Sequence, residues 1–416
     1  MPEPIRVVHF ADVHVGMENY GRLDPASGTS SRVRDFLDRL DEVVDYAIAH
    51  DGDLAVFAGD AFKSRDPEPT QQREFAARIK RLADAMPTLL LVGNHDMPGM
   101  AAKASSVDIF GALEVPGVIV GDRSGWRVQP TKRGDVFLAW IPYPMRNRLL
   151  AREGSQGKTI DELDEALRQA VAEVMASHAQ EARLHDMPRL LVGHLSVAEA
   201  RLGSERTILI GRDVGLATSS FADPSWDYVA LGHIHRHQDL HPSSPPPVVY
   251  SGSLERIDFG EEDESKGFCW VELARGATRW QFVPVAARPF RTIRVDARRA
   301  DDPSRAVIEA VRGAGADGAV VRVQVQVRSD QEALLREREI QAELADASSV
   351  IVAREVESAA RIRLGDAAPE ALSPLQLVER FFVDQGAEPA RVAALVERAA
   401  EILDETSDQQ SVTRNH

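Results

Sequence analysis

A chain of 416 residues, 44% hydrophobic and 27% charged, has the composition of an ordinary soluble globular protein and length for two or three domains. Its one cysteine, Cys269, excludes an intrachain disulfide and a thiolate zinc cage. The net charge of −16 argues against attachment to a polyanion by bulk charge alone, and no apolar run approaches the length of a membrane span.

In chain order, the apolar run Val7–Ala11 reads as a strand that breaks into Asp12-Val13-His14, followed by a Gly/Pro/Ser-containing loop to Ser30. A helix is expected next, with Val33, Phe36, Leu37, Leu40, Val44, Ala47 and Ile48 on one face. The strand Leu54–Ala58 runs into Gly59-Asp60. A second helix with Phe75, Ile79 and Leu82 leads to the strand Thr88–Val92 and its exit Gly93-Asn94-His95-Asp96. This alternation implies right-handed crossovers and a largely parallel sheet. Shorter strands are expected at 118–120, 126–128 and 136–141, and a helix from Thr159 to about His178. The strand Leu190–Val192 ends in Gly193-His194, and Tyr228–Leu231 ends in Gly232-His233-Ile234-His235. After a Pro-rich turn at 245–247, strands at 248–250, 268–273 and 280–283 suggest two sheets packed face to face and flanked by helices.

A boundary is expected near Ala286–Pro289, which gives a first domain of 1–285. A βαβαβ unit follows over 286–365, with strands at 292–295, 321–327 and 350–352 and helices at 303–312 and 330–344. Two amphipathic helices in 366–405 begin at Ser373-Pro374 and after Glu388-Pro389, and need a host surface for their stripes; 406–416 reads as a disordered tail. Charge is uneven along the chain. Residues 286–365 carry 14 Arg against 13 acids, whereas 366–416 carry 4 Arg against 10. The middle segment is therefore the least repulsive to a polyanion. Met1–Ile5 lacks the basic and apolar regions of a signal peptide, so a cytoplasmic location is expected.

Strand C-termini in an α/β protein converge on one edge, so five polar exits suggest one site. Asp, His and Asn donors without thiolate suit Mn²⁺, Fe²⁺ or Zn²⁺ better than Mg²⁺ or Ca²⁺. Seven such donors (Asp12, His14, Asp60, Asn94, His194, His233 and His235) exceed the needs of one ion with an open position. They suit two ions roughly 3.5–4 Å apart that clamp a phosphoryl group. The plainer alternative is that each polar residue merely caps its own loop, which five coincident exits disfavour. The other histidines, 9, 50, 178, 185, 237, 241 and 416, lack comparable spacing and read as structural or surface groups. Glu153–Thr159 superficially suggests a phosphate loop, but Arg152 replaces the required glycine and no apolar strand precedes it.

Asp-x-His, Gly-Asp, Gly-Asn-His-Asp, Gly-His and Gly-His-x-His, in that order, resemble the calcineurin-like metallophosphoesterase superfamily. The tract Tyr250–Gly260 with Lys266-Gly267-Phe268 is similar to the SbcD-type family of double-strand-break repair nucleases within it. The resemblance implies an α/β fold: a four-layer β-sandwich flanked by helices, with a small α+β capping domain over 286–365 and C-terminal partner-binding helices over 366–405. It assigns Asp12, His14, Asp60 and His235 to one metal and Asp60, Asn94, His194 and His233 to the other, most simply Mn²⁺ at both. His95 then faces the phosphate as a transition-state stabiliser or acid, oriented by Asp96. Lys63 stands where several members carry His or Asp, and offers instead a cation for a DNA phosphate or for solvent. The implied activity is exonuclease and single-strand or hairpin endonuclease, acting on DNA ends and hairpins. The implied partners are a second copy and an SbcC-like coiled-coil ATPase, in a heterotetramer with no membrane. The alternative on the same scaffold is a phosphodiesterase or phosphatase for a small molecule or protein.

Overall fold

The computed structural model describes residues 3–25, 28–97, 103–145, 159–203, 214–357, 373–384 and 387–412. The central strands of its two large sheets are apolar on both faces for a reason visible in the first of them. In β1 (Ile5–Phe10), Val7 lies in a core layer between two sheets, and Val8 lies in a second layer beneath helices. A strand buried on both sides reads as an unbroken apolar run.

The helix α1 (Ser31–Ala49) starts at Ser30, whose hydroxyl accepts from Arg32 N–H. β2 (Leu54–Phe57), α2 (Pro69–Ala85) and β3 (Thr88–Leu91) follow, then the short α3 (Asp108–Ala112) and β4 (Val118–Gly121). β5 (Gly125–Thr131) and β6 (Gly134–Ile141) form a hairpin. α4 (Ile160–Ala182) begins with a reciprocal capping box between Thr159 and Glu162. β7 (Arg189–His194), the turn α5 (Thr218–Phe221), β8 (Tyr228–Gly232), β9 (Gln238–Asp239) and β10 (Val248–Tyr250) come next, before β11 (Gly267–Leu273) and β12 (Arg279–Pro284).

These strands make two six-stranded sheets, ordered β12-β11-β1-β2-β3-β4 and β5-β6-β7-β8-β10-β9. β1 to β4 run parallel in the first, and β6, β7, β8 and β10 run parallel in the second. Val7, Leu54, Leu89, Leu138, Leu190 and Val249 fill the space between the sheets. Val8, Leu40, Ile79 and Leu90 pack the first sheet against α1 and α2, and Leu191, Val171 and Met175 pack the second against α4. The result is the expected four-layer α/β arrangement. Every parallel strand of both sheets delivers its C-terminus to one edge.

A third sheet contains β13 (Phe290–Asp296), β14 (Val320–Arg328) and β15 (Ser349–Glu357) in that order. α6 (Pro303–Val311) and α7 (Glu337–Glu343) connect them. The chain divides into two compact units: Met1–Ile293 with Ala310–Val323 and Gln341–Val352, and Arg294–Glu309 with Gln324–Ile340 and Ala353–His416. In the second unit, α8 (Pro374–Asp384) and α9 (Pro389–Val412) pack on each other. Ser373 caps α8, its hydroxyl accepting from Gln376 N–H.

Three expectations change. Ile48 is 41% exposed, so the apolar stripe of α1 ends at Ala47. The helix expected over 330–344 is broken. Leu335 turns inward with ψ 111°, leaving a 3₁₀ turn at Glu332–Leu334 before α7, and Arg336 N–H donates to Ser304 Oγ. α9 continues to Val412, into the stretch read as a tail, where Gln409 and Gln410 are good helix formers. The phosphate-loop-like residues 153–158, the boundary at 365–366 and the last residues 413–416 lie outside the described residues. No helix among those described is long and apolar enough to cross a membrane.

Candidate metal centre

The first sheet brings Asp12 and His14 from β1, Asp60 from β2, and Asn94, His95 and Asp96 from β3; the second brings His194 from β7 and His233 and His235 from β8. The loops that carry them are strained. Four of the seven non-glycine residues with positive φ among the described residues are Asp12 (52°), His14 (48°), Asp60 (63°) and His233 (102°). Left-handed backbone at such residues costs of order 1–3 kcal/mol each and clusters at functional sites. Glycine permits the close approach. A Cβ on Gly59 would stand 2.3 Å from His194 Nδ1, and one on Gly93 would stand 2.1 Å from Asp60 Oδ1.

Two donor sets form around one carboxylate. On one side His14 Nε2 lies 3.0 Å from His235 Nε2, and Asp12, His14 and His235 offer ligand atoms all within 4.8 Å of one another. On the other side His194 Nε2 lies 3.0 Å from Asn94 Oδ1, and His233 Nδ1 lies 2.9 Å from the same oxygen. Asp60 Oδ2 stands between the sets, 3.9 Å from His14 Nε2 and 3.5 Å from His194 Nε2. Asp12 also ties the second set, accepting from His233 N–H at 3.0 Å.

The hydrogen bonds behind these atoms decide where the lone pairs point. His194 Nδ1–H donates to Ala58 O at 2.7 Å, which leaves the Nε2 lone pair facing Asn94 Oδ1. His235 Nδ1–H donates to Glu261 Oε1 at 2.9 Å, which leaves its Nε2 lone pair facing His14. His14 Nδ1 is buried without a hydrogen-bond partner. Lone pairs gathered at about 3 Å in a dry site repel unless a cation lies among them. The donors are oxygens and imidazole nitrogens, so the site fits divalent transition-metal ions.

Charges inside the cluster are strongly perturbed. Burial pushes Asp60 up, but His194, His95 and His14 outweigh it and hold that carboxyl well below the usual range. Burial lowers His194, but Asp60 and Asp12 overcome it and raise the group to about 9, so a cation on Nε2, either a proton or a metal ion, is favoured there. Burial, with His235 and His95 adding to it, drives His14 well below an ordinary histidine. Asp96, buried and close to the Asp60 charge, is pushed up to about 6.

His95 is only half-buried, and its Nδ1–H donates to Lys63 O at 2.8 Å. Contrary to expectation, the Asp96 carboxylate does not hold that ring. It accepts from the N–H groups of Asp60 and Ala61, both at 2.9 Å, from Gly93 N–H at 3.0 Å and from Ser106 Oγ. It therefore binds the β2 and β3 exits to each other, because three backbone donors of those loops point at it. At Lys63 it is the backbone carbonyl that meets the site. The remaining histidines serve elsewhere. His9, for example, bonds Tyr228 and Leu231 O deep in the core, where burial lowers it to about 3.

Sequence reasoning missed two groups. Tyr143, two residues past β6, has its ring 5.5 Å from that of His233, and the apolar strand preceding it was the available signal. Glu261 carried no comparable signal.

A double sheet that turns this donor set toward one edge is the calcineurin-like phosphoesterase design, and the sequence signature of that family, "Calcineurin-like phosphoesterase", matches residues 5–237. The chain is also similar to the SbcD subunits of SbcCD nucleases. It is 30% identical to that of Rhodobacter capsulatus over 314 residues, covering 71% of this chain and 72% of the relative. For Bacillus subtilis the values are 28%, 67% and 69%, and for Escherichia coli 26%, 65% and 66%. The chain belongs to the calcineurin-like phosphoesterases, in the SbcD branch. Members of that family are phosphoester hydrolases with a dinuclear metal centre, and this chain supplies the candidate ligand groups.

Proposed function

We propose that this protein is the metal-dependent nuclease component of an SbcCD-type DNA end-processing complex in the cytoplasm. It acts as an exonuclease on DNA ends and as an endonuclease on single strands and hairpins. The observation that carries the reading is Asp60 Oδ2 standing between two donor sets, 3.9 Å and 3.5 Å from their histidines. Asp12, His14, Asp60 and His235 would hold one ion, and Asp60, Asn94, His194 and His233 the other, with Mn²⁺ the best match. When bound, the pair supplies positive charge to the phosphate oxygens and makes water more acidic.

This chain's own residues do the rest. Asp96 fixes the spacing of the Asp60 and Asn94 loops through the three N–H groups it accepts. Lys63 O holds the hydrogen of His95 on Nδ1, so the other ring nitrogen is left for substrate. In its protonated form that nitrogen donates to the leaving oxygen or to developing phosphate charge. His95 also offers a ligand atom within 4.8 Å of His14 and Asp60. Its partial exposure and its tie to Lys63 favour the substrate-facing role.

Residues 286–365, near charge balance, are assigned as a DNA-contacting cap. The helices α8 and α9 are assigned as the docking element for an SbcC-like coiled-coil ATPase, with two copies of each chain in the complex. Phe381 and Val383 remain 42% and 58% exposed on α8, and the acid excess of 366–416 makes that segment a poor surface for DNA. Labelled linear and hairpin DNA, incubated with the full-length protein and Mn²⁺ or Mg²⁺, tests the activity. Metal-dependent cleavage of both is expected. Hydrolysis of a cyclic nucleotide with DNA left intact would contradict the reading.

A further inference from the structure

The Nδ1–H of His235 points at Glu261, and Glu261 is itself held from three directions. Its Oε1 accepts from His235 at 2.9 Å, while Oε2 accepts from Ile257 N–H at 3.0 Å and pairs with Lys266 Nζ at 2.9 Å. Both side chains are sealed: Glu261 is 0% exposed and Lys266 2%. A buried lysine of this kind is costly unless all three of its donors are used, and here they are. Nζ reaches Glu261 Oε2, Glu264 Oε2 at 2.9 Å and the main-chain oxygen of His235 at 3.2 Å. The ammonium thus grips both the carboxylate behind the imidazole and the backbone that carries it. Glu261 closes the 3₁₀ turn Phe259–Glu261, whose start is fixed by Asp258 Oδ1 accepting from Gly260 N–H at 2.7 Å.

The arrangement has a chemical consequence. An imidazole presents a lone pair at Nε2 only when its hydrogen sits on Nδ1. A carboxylate that cannot donate enforces that tautomer and makes Nε2 a better electron donor. The nitrogen so exposed is the one 3.0 Å from His14 Nε2. We infer that Glu261, locked by Lys266, is a positioning residue that sets the tautomer and ring orientation of His235 toward its metal ion. The inference rests on the reading of His235 as a metal ligand.

The test uses the full-length protein stripped of metal. Nitrogen-15 NMR of the His235 ring reads the tautomer, calorimetric titration with Mn²⁺ reads affinity, and thermal melting reads stability. Glu261→Gln should turn its one oxygen to Ile257 N–H and Lys266 Nζ and its amide N–H to His235 Nδ1, shifting the ring toward the Nε2–H tautomer. Glu261→Ala removes the acceptor, so the ring should become a tautomer mixture. Mn²⁺ should bind about 10–100-fold more weakly at one of two sites, as second-layer substitutions at metal centres generally show. If Glu261→Ala does not fold, Glu261→Gln with Lys266→Met removes both buried charges together, and a loss of about 10-fold is expected there. Unchanged Mn²⁺ affinity and tautomer in the folded variant, with Mn²⁺ binding lost in Asp60→Asn, overturn the positioning role alone. Unchanged Mn²⁺ binding in Asp60→Asn as well overturns the metal-centre reading beneath it.

Discussion

Gly93→Ala isolates the steric basis of the site. One methyl group would be added where its carbon meets Asp60 Oδ1 at 2.1 Å and Asp60 N at 2.5 Å. Ordinary contact starts near 3.4 Å, so the β2 and β3 exits must separate by about 1 Å. Neither neighbour can swing aside. Oδ1 accepts from His95 N–H at 2.8 Å, and the Asp60 N–H donates to Asp96. Overpacking of this kind costs about 1–3 kcal/mol, which lowers the melting temperature by roughly 2–10 °C in a domain of this size. The functional effect should be larger. A displacement of about 1 Å at a reacting centre can cost 10²-fold in rate, and moving Asp60 disturbs both donor sets at once. Gly111→Ala is the control, because the same methyl group meets only Val120, at 3.5 Å, within a helix. Calorimetric Mn²⁺ titration, melting and DNA cleavage of both variants provide the comparison. Two-site Mn²⁺ binding and melting at wild-type values in Gly93→Ala would refute the claim that this glycine is needed for loop approach.

Three further experiments test other parts of the molecule. His95→Ala should keep both metal ions by elemental analysis and bind DNA, yet lose most cleavage; loss of a metal would make His95 a ligand. Phe381→Asp and Leu395→Asp should abolish co-purification with an SbcC-like ATPase at unchanged melting temperature, whereas an intact complex with a lowered melting temperature would make these residues internal packing. Cys269 is fully buried, and burial pushes its thiol up to about 12. It should therefore resist thiol reagents at pH 8 in the native protein and react on unfolding, and rapid native labelling would show that the strand β11 opens.

The strand exits were legible because a strand buried on both faces appears as an apolar run, and its polar residues begin where burial by the neighbouring layer ends. Val56-Phe57-Ala58 before Gly59-Asp60 and Val192 before Gly193-His194 show the pattern directly. What holds those residues was much less legible. The His95 ring is held by the carbonyl of Lys63, and a backbone oxygen leaves no mark in a sequence. The resemblance implied Asp96 as the residue that orients His95. Its carboxylate instead meets N–H groups of a loop 36 residues earlier. Glu261 reaches His235 across 26 residues from within a run of four acids, where nothing in the sequence distinguishes it from Glu262, Asp263 and Glu264. The break at Leu335 was hidden because its side chain turns inward within an otherwise charged stretch.

In the proposed centre one carboxylate, that of Asp60, would serve two metal positions. Elemental analysis of Asp60→Asn, purified and equilibrated with Mn²⁺ beside the wild type, measures this directly. Wild-type protein should retain two ions per chain, and the variant should lose both together, because Oδ2 of Asp60 stands between the His14 and His194 sets. Retention of one tightly held ion in the variant would contradict the shared-carboxylate account.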